Sequence, residues 1–120
     1  YFDQLDLDGT IEKLSKELSK IHDKTKKPII ISEFGADTIP GFHSVSDELY
    51  TEEYQLEYWK RYLEYAKKTD YVVGLHAWVL ADFRTTHSTM RIGGLNHKGA
   101  FTRDRKPKMS AHYLRSEWNN

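Results

Sequence analysis

The sequence predicts an α/β fold with parallel strands that forms part of a larger sheet or barrel. Two short apolar runs, IIIS at 29–32 and YVVGL at 71–75, flank a segment of helical period. The order strand, helix, strand makes a right-handed βαβ unit. Two strands alone cannot cover both of their faces or shield their edges. The unit therefore calls for more strands than one small domain of 120 residues supplies.

The elements follow in order. Asp8–Gly9–Thr10 reads as a turn, and IEKLSKELSKIHDKTKK after it as an amphipathic helix. Ile11, Leu14, Leu18 and Ile21 fall on one stripe, at spacings of three and four. Lys24, Lys26 and Lys27 suit the negative pole of its dipole, and Pro28 stops it. The isoleucine run that follows is continuous, the pattern of a strand buried on both faces. Residues 34–50 carry Gly, Pro and Ser without a period and read as a long loop, a feature that often carries function. Thr51 caps the next helix, with Glu52 and Glu53 in its first turn. Gln55, Trp59, Tyr62 and Ala66 share one helix face, widened by Tyr58, Leu63 and Tyr65. The second apolar run continues into HAWVL, and a second long loop, ADFRTTHSTMRIGGLNHKGAFTRDRK, leads to Pro107. A last helix starts there, with Ala111, Leu114 and Trp118 as its stripe.

Composition excludes several classes of function. The 18 basic and 18 acidic residues balance, so no global field steers the chain to nucleic acid or an anionic membrane. No apolar run reaches the ~18 residues of a membrane span. Without cysteine there is neither a disulfide nor thiolate chemistry. QLDLDGTIEKLS imitates a calcium loop at its inner offsets but has Gln4 first and Ser15 twelfth, where carboxylates are needed. TRDRKPK is a short basic run holding Asp104 and no aromatic residue, which reads as a solvated loop. The chain opens on Tyr1 with no leader pattern, as expected of a processed chain or an internal piece.

Among candidate site residues, Glu33 comes first. It ends one strand and opens a long loop, the position of catalytic groups in (β/α)₈ barrels. Gly35 lets the chain turn away beside it. A surface carboxylate pairing with a lysine would read the same way. Trp78 also stands at a strand's carboxyl end, where an indole can wall a sugar pocket or simply pack. His76 alternates with Trp78 toward the same space, and Asp82 is placed to orient a neighbour. In RIGGLNHKG, Asn96 and Lys98 would share one side of an extended segment. An amide and an ammonium so placed can grip a carboxylate, or can belong to a solvated turn.

Together PIIISEFGADTIPGFHS, TEEYQLEYWKRY, VVGLHAWVLADFRT and LNHKGAFTRDRKPKMSAHYLRSEW resemble the end of the catalytic barrel of the β-glucuronidases, retaining enzymes of glycoside hydrolase family 2. The resemblance covers essentially the whole chain. It implies a fold class of α/β type, the carboxyl-terminal portion of a (β/α)₈ TIM barrel. Residues 1–27 then resemble the end of the sixth loop and the sixth helix, 28–33 the seventh strand and 71–80 the eighth. It implies that Glu33, in a motif of the form (S/T)-E-(F/Y)-G, is the nucleophile. Trp78 would line the glycone subsite, and Asn96 and Lys98 would recognise the glucuronate carboxylate with Arg91 near it. Tyr1 matches a sugar-contacting tyrosine. Leu95 is one residue more than the commonest spacing has.

The family's acid/base is the glutamate of an Asn-Glu pair after the fourth strand, and no Asn-Glu occurs here. The resemblance thus implies a fragment, 1–120 of a partial barrel, inactive alone and dependent on the preceding part of the same enzyme. It further implies a terminal β-D-glucuronide substrate, no cofactor or metal, a homo-oligomer at full length, and a cytoplasmic place if microbial. Neighbouring alternatives are a β-galacturonidase or β-galactosidase of the same family, or a non-catalytic carbohydrate-binding piece.

Overall fold

A computed structural model describes residues 6–86 and 91–119. Helix α1 runs Leu7–Thr25, strand β1 Ile29–Phe34, helix α2 Glu52–Lys68 and strand β2 Val72–Ala77. A two-residue strand β3, Phe83–Arg84, pairs antiparallel with β4, Leu95–Asn96, before helix α3, Met109–Trp118.

The first helix begins earlier than expected. Asp6, and no turn at Asp8–Gly9–Thr10, sets its start: the Asp6 carboxylate accepts from Gly9 N–H at 2.8 Å. The helix ends with Lys26 in a left-handed conformation, its N–H returning to the His22 carbonyl at 2.7 Å. Along the expected stripe Ile11, Leu14 and Leu18 pack on the core, whereas Ile21 is exposed. Thr51 caps α2 as expected, its hydroxyl accepting from Tyr54 N–H at 3.1 Å.

Strands β1 and β2 pair in parallel, with Ile31 opposite Leu75 and Phe34 opposite Ala77. The βαβ unit read from the sequence is therefore present. One face of the pair carries the core: Ile31, Phe34 and Val72 meet Trp59, Tyr62 and Leu63 of α2 and Leu114 of α3. Phe34 stacks on Tyr62 at 5.2 Å between ring centres. The other face is bare, with Ile30 55% and Val73 62% exposed. Burial on both faces is thus not reached by these residues, because the helices cover one side only. On α3, Leu114 is buried and Trp118 exposed.

The second strand also stops sooner than the expected residue 80. Trp78 N–H still donates to the Phe34 carbonyl at 2.8 Å, and then the backbone changes partners. Val79 N–H donates to the Lys98 carbonyl at 3.1 Å, Ala100 N–H to Val79 at 3.0 Å, and Asp82 N–H to Phe101 at 2.9 Å. This switch draws the 96–101 segment alongside Trp78, and so assembles the site.

Candidate active site

The loops after β1 and β2 converge on one end of the strand pair. Thr38 N–H donates to the His97 carbonyl at 3.0 Å, joining the first loop to the second. Gly35 permits a close crossing: a Cβ there would stand 2.0 Å from the Trp78 carbonyl oxygen.

Beneath the crossing lie two buried polar hubs. Gln55, fully buried on α2, donates to the carbonyls of Ala36 at 3.2 Å and Gly99 at 3.1 Å. Its own carbonyl accepts from the Ser110 hydroxyl at 2.8 Å. Lys108 is also buried, and donates to Asp82 Oδ1 at 2.9 Å and to the carbonyls of Thr38 and His97 at 3.1 and 3.0 Å. Burial pushes the Lys108 ammonium below its ordinary value, against the opposing pull of Asp82. Asp82 also accepts from Gly99 N–H at 2.9 Å, which makes it an anchor for the loop that carries Lys98.

Above these hubs opens a cavity of about 340 Å³. Glu33, Trp78, Arg91, Asn96 and Lys98 all line it, together with Phe34, Gly35 and Tyr58. Glu33 is exposed, whereas Asn96 and Lys98 are buried. The Asn96 side-chain carbonyl accepts from Lys98 N–H at 3.0 Å, which fixes how the two are arranged. His76 does not join them. Its side of β2 borders a separate apolar cavity with Leu80, Phe101 and Trp118, because the strand alternation it was read from ends at Ala77. Tyr1 lies outside the described residues.

Two groups at the cavity were not singled out from the sequence, one lining it and one behind. Tyr58, read there as part of a packing face, reaches the cavity, and burial with its neighbour Tyr62 pushes its phenol up, so that it stays protonated. Asp37 stands just behind. Its Oδ2 accepts from Arg91 Nη1 at 2.8 Å and from Lys98 Nζ, and its Oδ1 accepts from His97 N–H at 3.1 Å. Burial pushes its carboxyl up, but the bond and charge of Lys98 and the charge of Arg91 outweigh that, and the net shift is downward. The folded group's pKa is thus below its ordinary 3.8. Its contribution to stability is present above that pH and is lost only as pH falls through the lower folded value. No group of three or more His, Cys, Asp or Glu among the described residues is placed to hold a metal ion.

Residues 1–120 match, over their whole length, the family model described as glycosyl hydrolases family 2, TIM barrel domain. The chain belongs to glycoside hydrolase family 2. The two parallel strands and their helices are part of that barrel, as the sequence led one to expect. The chain is 46% identical over 102 residues to a β-glucuronidase of Paenibacillus borealis, covering 85% of this chain and 17% of that protein. The β-D-glucuronidase structure of Dictyoglomus thermophilum is 47% identical, with a TM-score of 0.90 over 96% of this chain and 20% of that one. A third similar protein is the Bifidobacterium dentium β-glucuronidase complexed with coumarin-3-O-glucuronide. It is 40% identical at a TM-score of 0.88, over 96% of this chain and 18% of that one. The chain thus spans about a fifth or less of the relatives it matches.

Proposed function

We propose that residues 1–120 are a part of the catalytic barrel of a β-glucuronidase that cleaves terminal β-D-glucuronides with retention of configuration. The observation that carries this reading is the single cavity into which Glu33, Trp78, Asn96 and Lys98 all open. The similarity to β-glucuronidases supports it, as does the glucuronide named in the Bifidobacterium complex.

The chemistry follows from the side chains. A retaining glycosidase holds two carboxyl groups ~5 Å apart, one a nucleophile and one an acid and then a base. The Glu33 carboxylate attacks the anomeric carbon while the bond to the aglycone oxygen breaks. A second glutamate, supplied by the rest of the barrel, protonates that oxygen. The ester on Glu33 is then opened by water, which the same second glutamate deprotonates. Glucuronate leaves and both carboxyl groups are restored. Trp78 walls the sugar, Tyr1 contacts it, and Asn96 and Lys98 take its carboxylate with Arg91 beside them. Loss of one partner of a desolvated charge pair costs ~2–5 kcal/mol, enough to separate a uronate from a neutral hexose. The cations also weigh against the β-galactosidase alternative, whose substrate carries no carboxylate.

The test is Glu33→Gln in the full-length enzyme, assayed on aryl β-glucuronide, β-galacturonide and β-galactoside beside the unsubstituted enzyme. The glucuronide is expected to be the best substrate, and the variant to lose more than ~10³-fold in kcat. Wild-type turnover by the variant would remove Glu33 from the role. A preference for galacturonide or galactoside would favour the neighbouring activities.

A further inference from the structure

We propose that Asp37 is a positioning residue for uronate selectivity: one carboxylate that orders Lys98 and Arg91 before the substrate arrives. The inference rests on the reading of the cavity as a uronate site, and deepens it. The cations come from different parts of the second loop, and Asp37 from the first. Its Oδ2 takes both, Arg91 Nη1 at 2.8 Å and Lys98 Nζ, while its Oδ1 is held by His97 N–H at 3.1 Å. Both oxygens are thus engaged, and the carboxylate cannot turn away without releasing both cations and the His97 N–H.

Charge supports the assignment. Lys98 and Arg91 bring two positive charges to one wall of the cavity, and Asp37 cancels one. The wall is left with a single positive charge, the complement of a single uronate. Two unneutralised cations converging there would repel and spread. Lysine is a point charge on a flexible four-carbon stem, so its direction has to be imposed by its surroundings. Here Asp37 imposes it, with side chains only 7% exposed at Lys98 and 19% at Asp37. Ordering these groups in advance removes part of the cost of binding. Asp37 stands behind the residues that line the cavity and acts through Lys98 and Arg91, so its effect falls on binding of the carboxylate.

The experiment compares Asp37→Asn and Asp37→Glu with the unsubstituted full-length enzyme on aryl β-glucuronide and aryl β-glucoside. These substrates differ only in the carboxylate. Asp37→Asn is expected to raise KM for the glucuronide by about 10- to 100-fold, with a smaller fall in kcat. Its preference for glucuronide over glucoside should shrink by a similar factor. Asp37→Glu keeps the charge at a longer reach and should retain more of that preference. If the Asn variant does not fold, the Glu variant alone decides, by whether its KM rises more for the glucuronide than for the glucoside. Equal losses on both substrates, or an unchanged glucuronide KM, would overturn the proposal. Failure of the parent reading shows separately, as an unsubstituted enzyme that leaves the glucuronide intact.

Discussion

Glu33 stands near the end of β1 and Trp78 just past the end of its neighbour β2, and Gly35 lets their loops cross. An added methyl at Gly35 would sit 2.0 Å from the Trp78 carbonyl oxygen, a backbone atom with nowhere to go. Gly35→Ala is expected to cost about 1–3 kcal/mol, the usual range for overpacking, and to lower kcat by displacing Glu33 and Trp78. Thermal melting and aryl glucuronide turnover of the full-length enzyme check it; wild-type values for both would contradict the crossing. Much of this residue scale was legible: a carboxylate at a strand end, an indole at the next, and an amide and ammonium two apart. Asp37 was not. An aspartate shortly after a glycine reads as loop, and its cationic partners lie 54 and 61 residues away. His76 was misplaced because alternation was extended past the residue where β2 ends.

Helix α2 and the start of α3 hold the loops in place from below. The helix face of Gln55, Trp59 and Tyr62 was readable by period, and all three are buried. That Gln55 serves as a hydrogen-bond hub was not readable, since its partners are carbonyls of two distant loops. Lys108 shows the same limit more sharply. Residues 103–107 are exposed, as the solvated-loop reading of that basic run expects. Lys108, next in line, is 1% exposed. Charged side chains are rarely buried unless paired, and its partner Asp82 is 26 residues away. Lys108→Met is expected to destabilise by about 3–5 kcal/mol, because it leaves the Asp82 charge buried without compensation. Asp82→Asn in addition should recover part of that loss. Urea unfolding of the single and double variants decides; a Lys108→Met loss below about 1 kcal/mol, or no recovery in the pair, would rule out the hub as a charge pair.

At the scale of the whole molecule, the bare strand face and the small share of its relatives that the chain spans make the same point. Ile30 and Val73 leave more than half of their surface uncovered by the described residues. The chain spans 20% or less of the relatives it matches. An α/β portion of a barrel was legible from two strands that could not close a core on their own. The 120 residues alone are expected to release no aglycone from an aryl β-glucuronide, and the same residues joined to the rest of the barrel to release it readily. Hydrolysis by the isolated chain would show that it holds its own acid. The central claim is that Glu33 forms a covalent bond to the sugar in this cavity. Its most direct measurement is peptide mass spectrometry of the full-length enzyme after reaction with a 2-fluoro glucuronyl fluoride, whose ester turns over slowly. The account predicts one added glycosyl group on the peptide carrying Glu33; the group on a different carboxylate, or on none, would contradict it.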